Sequence, residues 1–283
     1  MHARQFPHLA EVDLSKKREH IKAQINEAYQ TVSHHKVRKV DHKNVLLIGR
    51  TRTGKSTIKK VLVDPTTVAD EMKLAAQTRT ATIESYIIDD NATVLNIIDT
   101  PGLFERGSSE INWQDNKAIL KTIETCIARE ITKFHLVCFC ASFESGVHEE
   151  DVKAMKLLID FLGPDLTNNA CLIVTRCESK NEKQRADLKH EIENDTMFKP
   201  LAGYFKKGIL FSGTLDHDSW NNATDNLYYQ FETVVSYREK LIDLLTNNVE
   251  PFNVTESNIT AYRLAIEEQE KSGTAKSGKC NIA

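Results

Sequence analysis

The residues best placed to do chemistry stand in one run, Gly49-Arg50-Thr51-Arg52-Thr53-Gly54-Lys55-Ser56-Thr57. Its spacing is G-x-x-x-x-G-K-[ST], the pattern of a phosphate-binding loop. In such a loop, backbone N–H groups turn inward at the start of a helix and form an anion site. Lys55 can reach the β- and γ-phosphates of a nucleotide, and the Ser56 hydroxyl can take a position on Mg²⁺. Two later groups would complete the site. Asp99-Thr100-Pro101-Gly102 offers a carboxylate that can hold Mg²⁺ through water. Its glycine can bring a backbone N–H close to the γ-phosphate. The polar run Ala76-Gln77-Thr78-Arg79-Thr80-Ala81-Thr82 offers a switch threonine. Thr78 would place its hydroxyl on the metal and its backbone by the γ-phosphate, with Thr80 as the rival.

Those groups need elements to hold them. Val45-Leu46-Leu47-Ile48, ahead of the loop, reads as a buried parallel strand. Ile58, Val61 and Leu62, after it, share one helical face. Residues Ile83 to Asp89 and Thr93 to Ile98 form a predicted hairpin turned at Asp89-Asp90-Asn91, which sets Asp99 at a strand end. Further strands are predicted from Phe134 to Ala141, Ala170 to Val174 and Gly208 to Phe211. Helices are predicted from about Trp113 to Ile131, Val147 to Leu162, Lys180 to Glu193 and Leu227 to Leu245. Glu149, Glu150 and Asp151 suit the positive end of the second of these. Near Pro251 the globular pattern ends, and a short helix (Ile259 to Glu268) precedes a Gly/Ser/Lys tail.

The strand at Ala170 to Val174 runs into Thr175-Arg176-Cys177-Glu178. In GTPases this strand end carries [NT]-K-x-D, whose carboxylate accepts hydrogen bonds from guanine N1–H and N2–H₂. Glu178 can supply that carboxylate with one more methylene to place, and Arg176 can lay its stem along the base. Ser212-Gly213 can approach the base from the last strand. The expected fold is a three-layer α/β domain with a mostly parallel central sheet, one antiparallel strand, and helical extensions at both ends.

Composition narrows the class. The 283 residues are 40% hydrophobic and 27% charged, as in a soluble globular protein, and a net charge of −3 gives no global pull toward nucleic acid or membrane. Cysteines 126, 138, 140, 171, 177 and 280 have no zinc-type spacing, and five lie in or beside apolar segments, which fits a reducing cytoplasmic setting. No signal peptide or membrane-length apolar run is expected. Residues 1–43 form a mildly basic extension in which Ile21, Ile25, Ala28/Tyr29 and Val32 make a helical apolar stripe, packed on the core or on a partner. The core domain is set at 44–247, with linker, short helix and tail from 248 to 283. The final Cys280-Asn281-Ile282-Ala283 has the C-a-a-X form of a farnesylation signal behind Lys271, Lys276 and Lys279, against the alternative of a chance cysteine. One prenyl group there would bind membranes only marginally and reversibly, as in a cytoplasmic protein with peripheral membrane association.

Over roughly residues 44–247 these motifs resemble the avirulence-induced/immunity-associated GTPases, in the septin- and Toc-like branch of the P-loop GTPases. Phe134-His135-Leu136-Val137 through His148-Glu149-Glu150-Asp151-Val152 is similar to that family's own box. The resemblance implies a Mg²⁺-dependent GTP/GDP switch that hydrolyses GTP and forms a homodimer through its nucleotide face. The runner-up is a non-hydrolysing, nucleotide-gated scaffold at membranes. An ATP-using P-loop enzyme is disfavoured by the base-reading tetrapeptide. Two departures bear on rate. Leu103 stands where Ras-type GTPases place the glutamine that orients water, so turnover should be slow. Some family members are thought to offer an arginine from the box, and none lies between Cys140 and Glu150 here. Arg52 lies instead in the phosphate loop, as in guanylate-binding proteins, and is either an arginine finger within the chain or a simple electrostatic attractor. Lys55, Arg52 and Thr78 are thus the expected catalytic residues, and Ser56, Thr78 and Asp99 the metal ligands.

Overall fold

The computed structural model describes residues 14–32, 39–69, 81–88, 93–102, 113–144, 146, 149–196, 198–247, 250–255, 257, 259–261, 263–264 and 267. The chain divides into two compact units, Met1–Val40 and Asp41–Ala283. The first contains helix α1 (Leu14–Val32).

The second unit is a three-layer α/β domain. Its strands are β1 (Asp41–Gly49), β2 (Thr82–Ile88), β3 (Thr93–Asp99), β4 (Lys133–Phe134), β5 (Leu136–Ser142), β6 (Ala170–Thr175), β7 (Ile209–Phe211) and β8 (Phe252–Asn253). Its helices are α2 (Lys55–Val63), α3 (Trp113–Ala128), α4 (Glu149–Leu162), α5 (Glu182–Asn194), α6 (Lys199–Ala202), α7 (His217–Asn221) and α8 (Asn226–Thr246). The main sheet has the order β2-β3-β1-β5-β6-β7, with only β2 antiparallel to its neighbour.

The central strands are buried on both faces, so their sequences are apolar without alternation. Leu46, Ile48, Phe139 and Leu172 face a core built with Ile123 of α3, Leu158 of α4 and Ile192 of α5. Val45, Leu47, Cys138 and Ile173 face the opposite core, built with Ile58 of α2 and Leu241 of α8. The cysteines at 126, 138, 140, 171 and 177 are buried free thiols among these residues. No described helix is long and apolar enough to cross a membrane.

Three expectations need correction. The strand expected from Phe134 to Ala141 is two strands. Asn44 clamps His135 through the His135 N–H (2.9 Å to Asn44 O) and its own N–H (3.0 Å to His135 Nδ1). The chain kinks there, and Lys133–Phe134 pair with Phe252–Asn253 instead. The globular packing therefore runs past Pro251. Phe252 and Val254 are buried, and the Val254 N–H donates to Thr132 O at 2.9 Å. Helix α3 also stops short of Ile131. Glu130 takes a left-handed conformation (φ 61°), and the Ile131 N–H turns back to Cys126 O, closing the helix end.

Candidate functional site

The site lies at the carboxyl ends of β1, β3, β5 and β6, where an open parallel sheet binds ligands. Gly49 ends β1 in close contact with β5. A Cβ there would stand 2.4 Å from the Cys140 carbonyl oxygen, so only glycine permits the approach. The loop then turns through two left-handed residues, Arg52 (φ 71°) and Gly54 (φ 83°), and α2 starts with the Ile58 N–H donating to Gly54 O at 2.9 Å. The Thr53 hydroxyl closes the turn on Arg50 O at 2.9 Å.

Lys55 is buried and curls over the loop, donating to Gly49 O and Arg50 O, each at 2.8 Å. Burial pushes its pKa down, opposed by the Cys140 thiol and by the carboxylates of Asp99 and Asp151. Its ammonium is thus held at the loop by acceptors that phosphate oxygens can replace. Arg52 stands exposed on the same turn.

Ser56 and Asp99 meet across the site, with the Ser56 hydroxyl donating to Asp99 Oδ2 at 2.5 Å. Asp99 Oδ1 is buried with no hydrogen-bond partner. Burial raises the Asp99 pKa, while the Ser56 hydrogen bond and Lys55 pull it down. Thr100 fixes this strand end by donating its hydroxyl to Leu47 O at 2.8 Å. Gly102 presses on the phosphate loop. A Cβ there would lie 2.0 Å from Thr51 Oγ1 and 2.5 Å from Thr51 Cα. Thr51 Oγ1 is itself buried without a hydrogen-bond partner. Thr78, Thr80 and Leu103 lie outside the described residues, as does Cys280.

The β6 end joins the site in two ways. Thr175 is buried, and its hydroxyl reaches Thr53 O at 2.8 Å and Ala141 O at 3.3 Å, so it braces the phosphate loop against β5. Arg176 is left-handed (φ 62°) and pairs with Glu144. Glu178 Oε2 is buried with no hydrogen-bond partner, and desolvation raises its carboxyl pKa. Gly213 covers it: a Cβ there would stand 2.5 Å from Glu178 Oε2. The two loops are tied by the Cys177 N–H to Ser212 O (3.1 Å), and Tyr237 of α8 holds the first of them by donating its hydroxyl to Cys177 O at 2.8 Å.

Asp151 was read from sequence as a helix-end acid. It does stand in the first turn of α4, and it is also buried there, in a 2.9 Å ion pair with Arg50 Nε of the phosphate loop. Nothing in the local sequence separates it from Glu149 and Glu150, because its partner is about a hundred residues away. The structure thus brings Gly49–Thr57, Asp99, Gly102 and Thr175 together, and sets Glu178 and Gly213 beside them at the next strand ends.

The chain is 25% identical over 201 residues to immune-associated nucleotide-binding protein 3 of Arabidopsis thaliana, covering 69% of this chain and 54% of that protein. It is 24% identical over 132 residues to immune-associated nucleotide-binding protein 7 of the same plant, covering 47% and 40%. The chain therefore spans about half the length of these relatives or less. Its fold matches the crystal structure of Toc33 from Arabidopsis thaliana in complex with GDP and Mg²⁺, with a TM-score of 0.50 and 16% identity over 85% of this chain and 96% of that one. Residues 43–239, well over half of the sequence, match the AIG1 family, and the chain belongs to that family.

Proposed function

We propose that the chain is a guanine-nucleotide switch that hydrolyses GTP slowly. The observation that carries this reading is the buried, unpartnered Glu178 Oε2 beside Gly213, on a strand whose Thr175 grips the phosphate loop. A buried acceptor without a donor is costly. Guanine N1–H and N2–H₂ supply donors to it, whereas adenine presents an acceptor at N1. Phosphates and base would then be read at the carboxyl ends of β1 and β6, held one strand apart by β5.

The donor set fits Mg²⁺, a hard cation that takes oxygen ligands. The orphaned Asp99 Oδ1 and the adjoining Ser56 hydroxyl provide them, and Thr78 is proposed as a third. When bound there, Mg²⁺ would neutralise charge on the β- and γ-phosphates. Lys55 would exchange its loop carbonyls for phosphate oxygens, and Gly102 would offer its N–H at the γ-phosphate. Hydrolysis joins a water oxygen to the γ-phosphorus as the bond to the β-phosphate oxygen breaks. Leu103 in place of a water-orienting glutamine supports a low rate. Arg52, as a finger within the chain, would add about 10³–10⁵ in rate. An unchanged single-turnover rate in Arg52→Ala at saturating nucleotide would reduce it to an electrostatic attractor.

The deciding experiment is binding of fluorescent GDP and GTP analogues to the wild type and Glu178→Ala, with ATP as competitor. Guanine-selective binding that Glu178→Ala weakens supports the reading. Equal competition by ATP would leave a P-loop binder of another class. Leu103 also favours the second reading, a non-hydrolysing scaffold. Phosphate release over many turnovers, rising more steeply than protein concentration, supports the hydrolysing homodimer through the nucleotide face. Release that stays at background at every concentration supports the scaffold.

A further inference from the structure

We propose that α1 is a membrane-surface helix whose apolar stripe lies on an anionic phospholipid bilayer. Leu14, Ile21, Ile25 and Tyr29 are exposed, at 63%, 43%, 61% and 46% of full accessibility. At about 100° per residue these four side chains fall within one narrow sector of the helix. A sector this apolar needs a cover, and the charges around it say which kind.

The helix carries Lys16, Lys17, Arg18 and Lys22 against Glu19 and Glu27. These are not mixed around the circumference. Lys17 and Lys22 border the apolar sector on its two sides, and Arg18 sits within it, between Ile25 and Tyr29 in projection. Glu19 and Glu27 lie on the far side. Basic side chains with long aliphatic stems at the edge of an apolar face can bury the stem and lift the charge to the level of lipid phosphates. The same arrangement counts against a second copy of α1 as the cover. Positions 14, 18, 21, 25 and 28 have the three–four spacing of a coiled-coil seam. In that seam Arg18 would face the partner helix, and Lys17 and Lys22 would flank it with like charge. Anionic lipid satisfies all three cations, and a bilayer edge accepts Tyr29 with its hydroxyl in the headgroup layer. This placement is independent of Cys280 and of the nucleotide site.

The test is flotation of the full chain, expressed in bacteria so that no prenyl group is added, with phosphatidylcholine vesicles with and without phosphatidylserine. Binding should require phosphatidylserine and fall as salt is raised. Lys17→Glu/Arg18→Glu/Lys22→Glu should weaken it by at least about tenfold. Ile21→Ser/Ile25→Ser should abolish it, and both variants should keep wild-type nucleotide affinity as proof of folding. Lys16→Glu, on the far face, should bind much as wild type does, which separates the face from net charge. The proposal is overturned by absence of flotation, or by equal loss per reversed charge at Lys16 and at the sector's edge. It is also overturned if light scattering shows a dimer that Ile21→Ser/Ile25→Ser dissolves, or if hydrogen exchange shows residues 14–32 protected in the free monomer.

Discussion

Arg50 Nε of the phosphate loop meets Asp151 Oδ1 of α4 at 2.9 Å, with the aspartate side chain 3% exposed and the arginine 19%. The pair joins the loop of the phosphate-binding motif to the helix that follows β5. Removing one member of a buried pair strands the other charge, at a cost of about 3–5 kcal/mol. Arg50 keeps some access to water, which places Asp151→Ala at the lower end, about 3 kcal/mol. For a domain of this size that lowers Tm by roughly 6–12 °C. Replacing both members, as Arg50→Met/Asp151→Leu, should recover most of the loss, because two apolar side chains need no partner. Thermal melts of the three variants check this. A double variant as unstable as Asp151→Ala would show that the carboxylate has a separate role.

Thr175 predicts a different kind of loss. Its hydroxyl donates to Thr53 O at 2.8 Å from the end of β6, and both residues are buried. Thr175→Val keeps the shape and leaves that carbonyl unpaired, a penalty of about 1–3 kcal/mol. The loop should then sit less firmly, with nucleotide affinity down about tenfold for each 1.4 kcal/mol so lost. Thr175→Ser keeps the donor and should bind within a few-fold of wild type. Titration with a fluorescent GDP analogue distinguishes them. Equal affinity in Thr175→Val and wild type would mean the brace does not shape the loop.

The contrast between Thr175 and Asp151 shows what a sequence can disclose. The phosphate loop, the Asp99 strand end and the three-layer order were readable because each is a local pattern: fixed spacing, apolar runs, turn residues. Thr175 was readable as a position at a strand end and was expected at the base; the brace its hydroxyl makes to the loop backbone was not readable, because Thr53 lies far away in sequence. Asp151 was hidden because its meaning rests on Arg50, about a hundred residues away. The break at His135 was hidden for the same reason, since Asn44 makes it from another strand. Strand β8 was missed because two residues carry no period, and only pairing with Lys133–Phe134 makes them a strand.

Glu178 gives a pH signature. Desolvation raises its carboxyl pKa above the ordinary 4.5. The folded chain therefore holds this proton more tightly than the unfolded chain does. Its contribution to stability is fully present below pH 4.5 and is lost as pH rises through the elevated pKa. With Glu178 as the proposed base reader, guanine binding would have the opposite slope, because the ionised carboxylate would be the acceptor. Affinity for GDP should fall on acidification at a pH above the usual glutamate range, and Glu178→Gln should flatten that dependence. GDP titrations from neutral to mildly acid pH, on wild type and Glu178→Gln, check it. Parallel pH profiles for the two proteins would remove Glu178 from the base site.

Asp99 and Ser56 carry the metal prediction. Burial raises the Asp99 carboxyl pKa, and the 2.5 Å hydrogen bond from Ser56 and the nearby Lys55 oppose that rise by favouring the ionised form. A divalent cation would replace the serine proton as its partner and stabilise the same ionised form. Chelation with EDTA should therefore weaken GDP and GTP analogue binding in the wild type by at least about tenfold. Asp99→Asn keeps the shape and a hydrogen-bonding oxygen but removes the negative charge, so its weaker binding should respond little to chelation. Ser56→Ala should lose the metal response too, while its apo fold gains a buried carboxylate short of one donor and melts lower. Isothermal titration with and without Mg²⁺ reads the first effects, and a thermal melt reads the last. A wild-type affinity indifferent to EDTA would mean that Lys55 and the loop amides hold the phosphates unaided, and the Ser56–Asp99 pair would then be a structural clasp between α2 and β3.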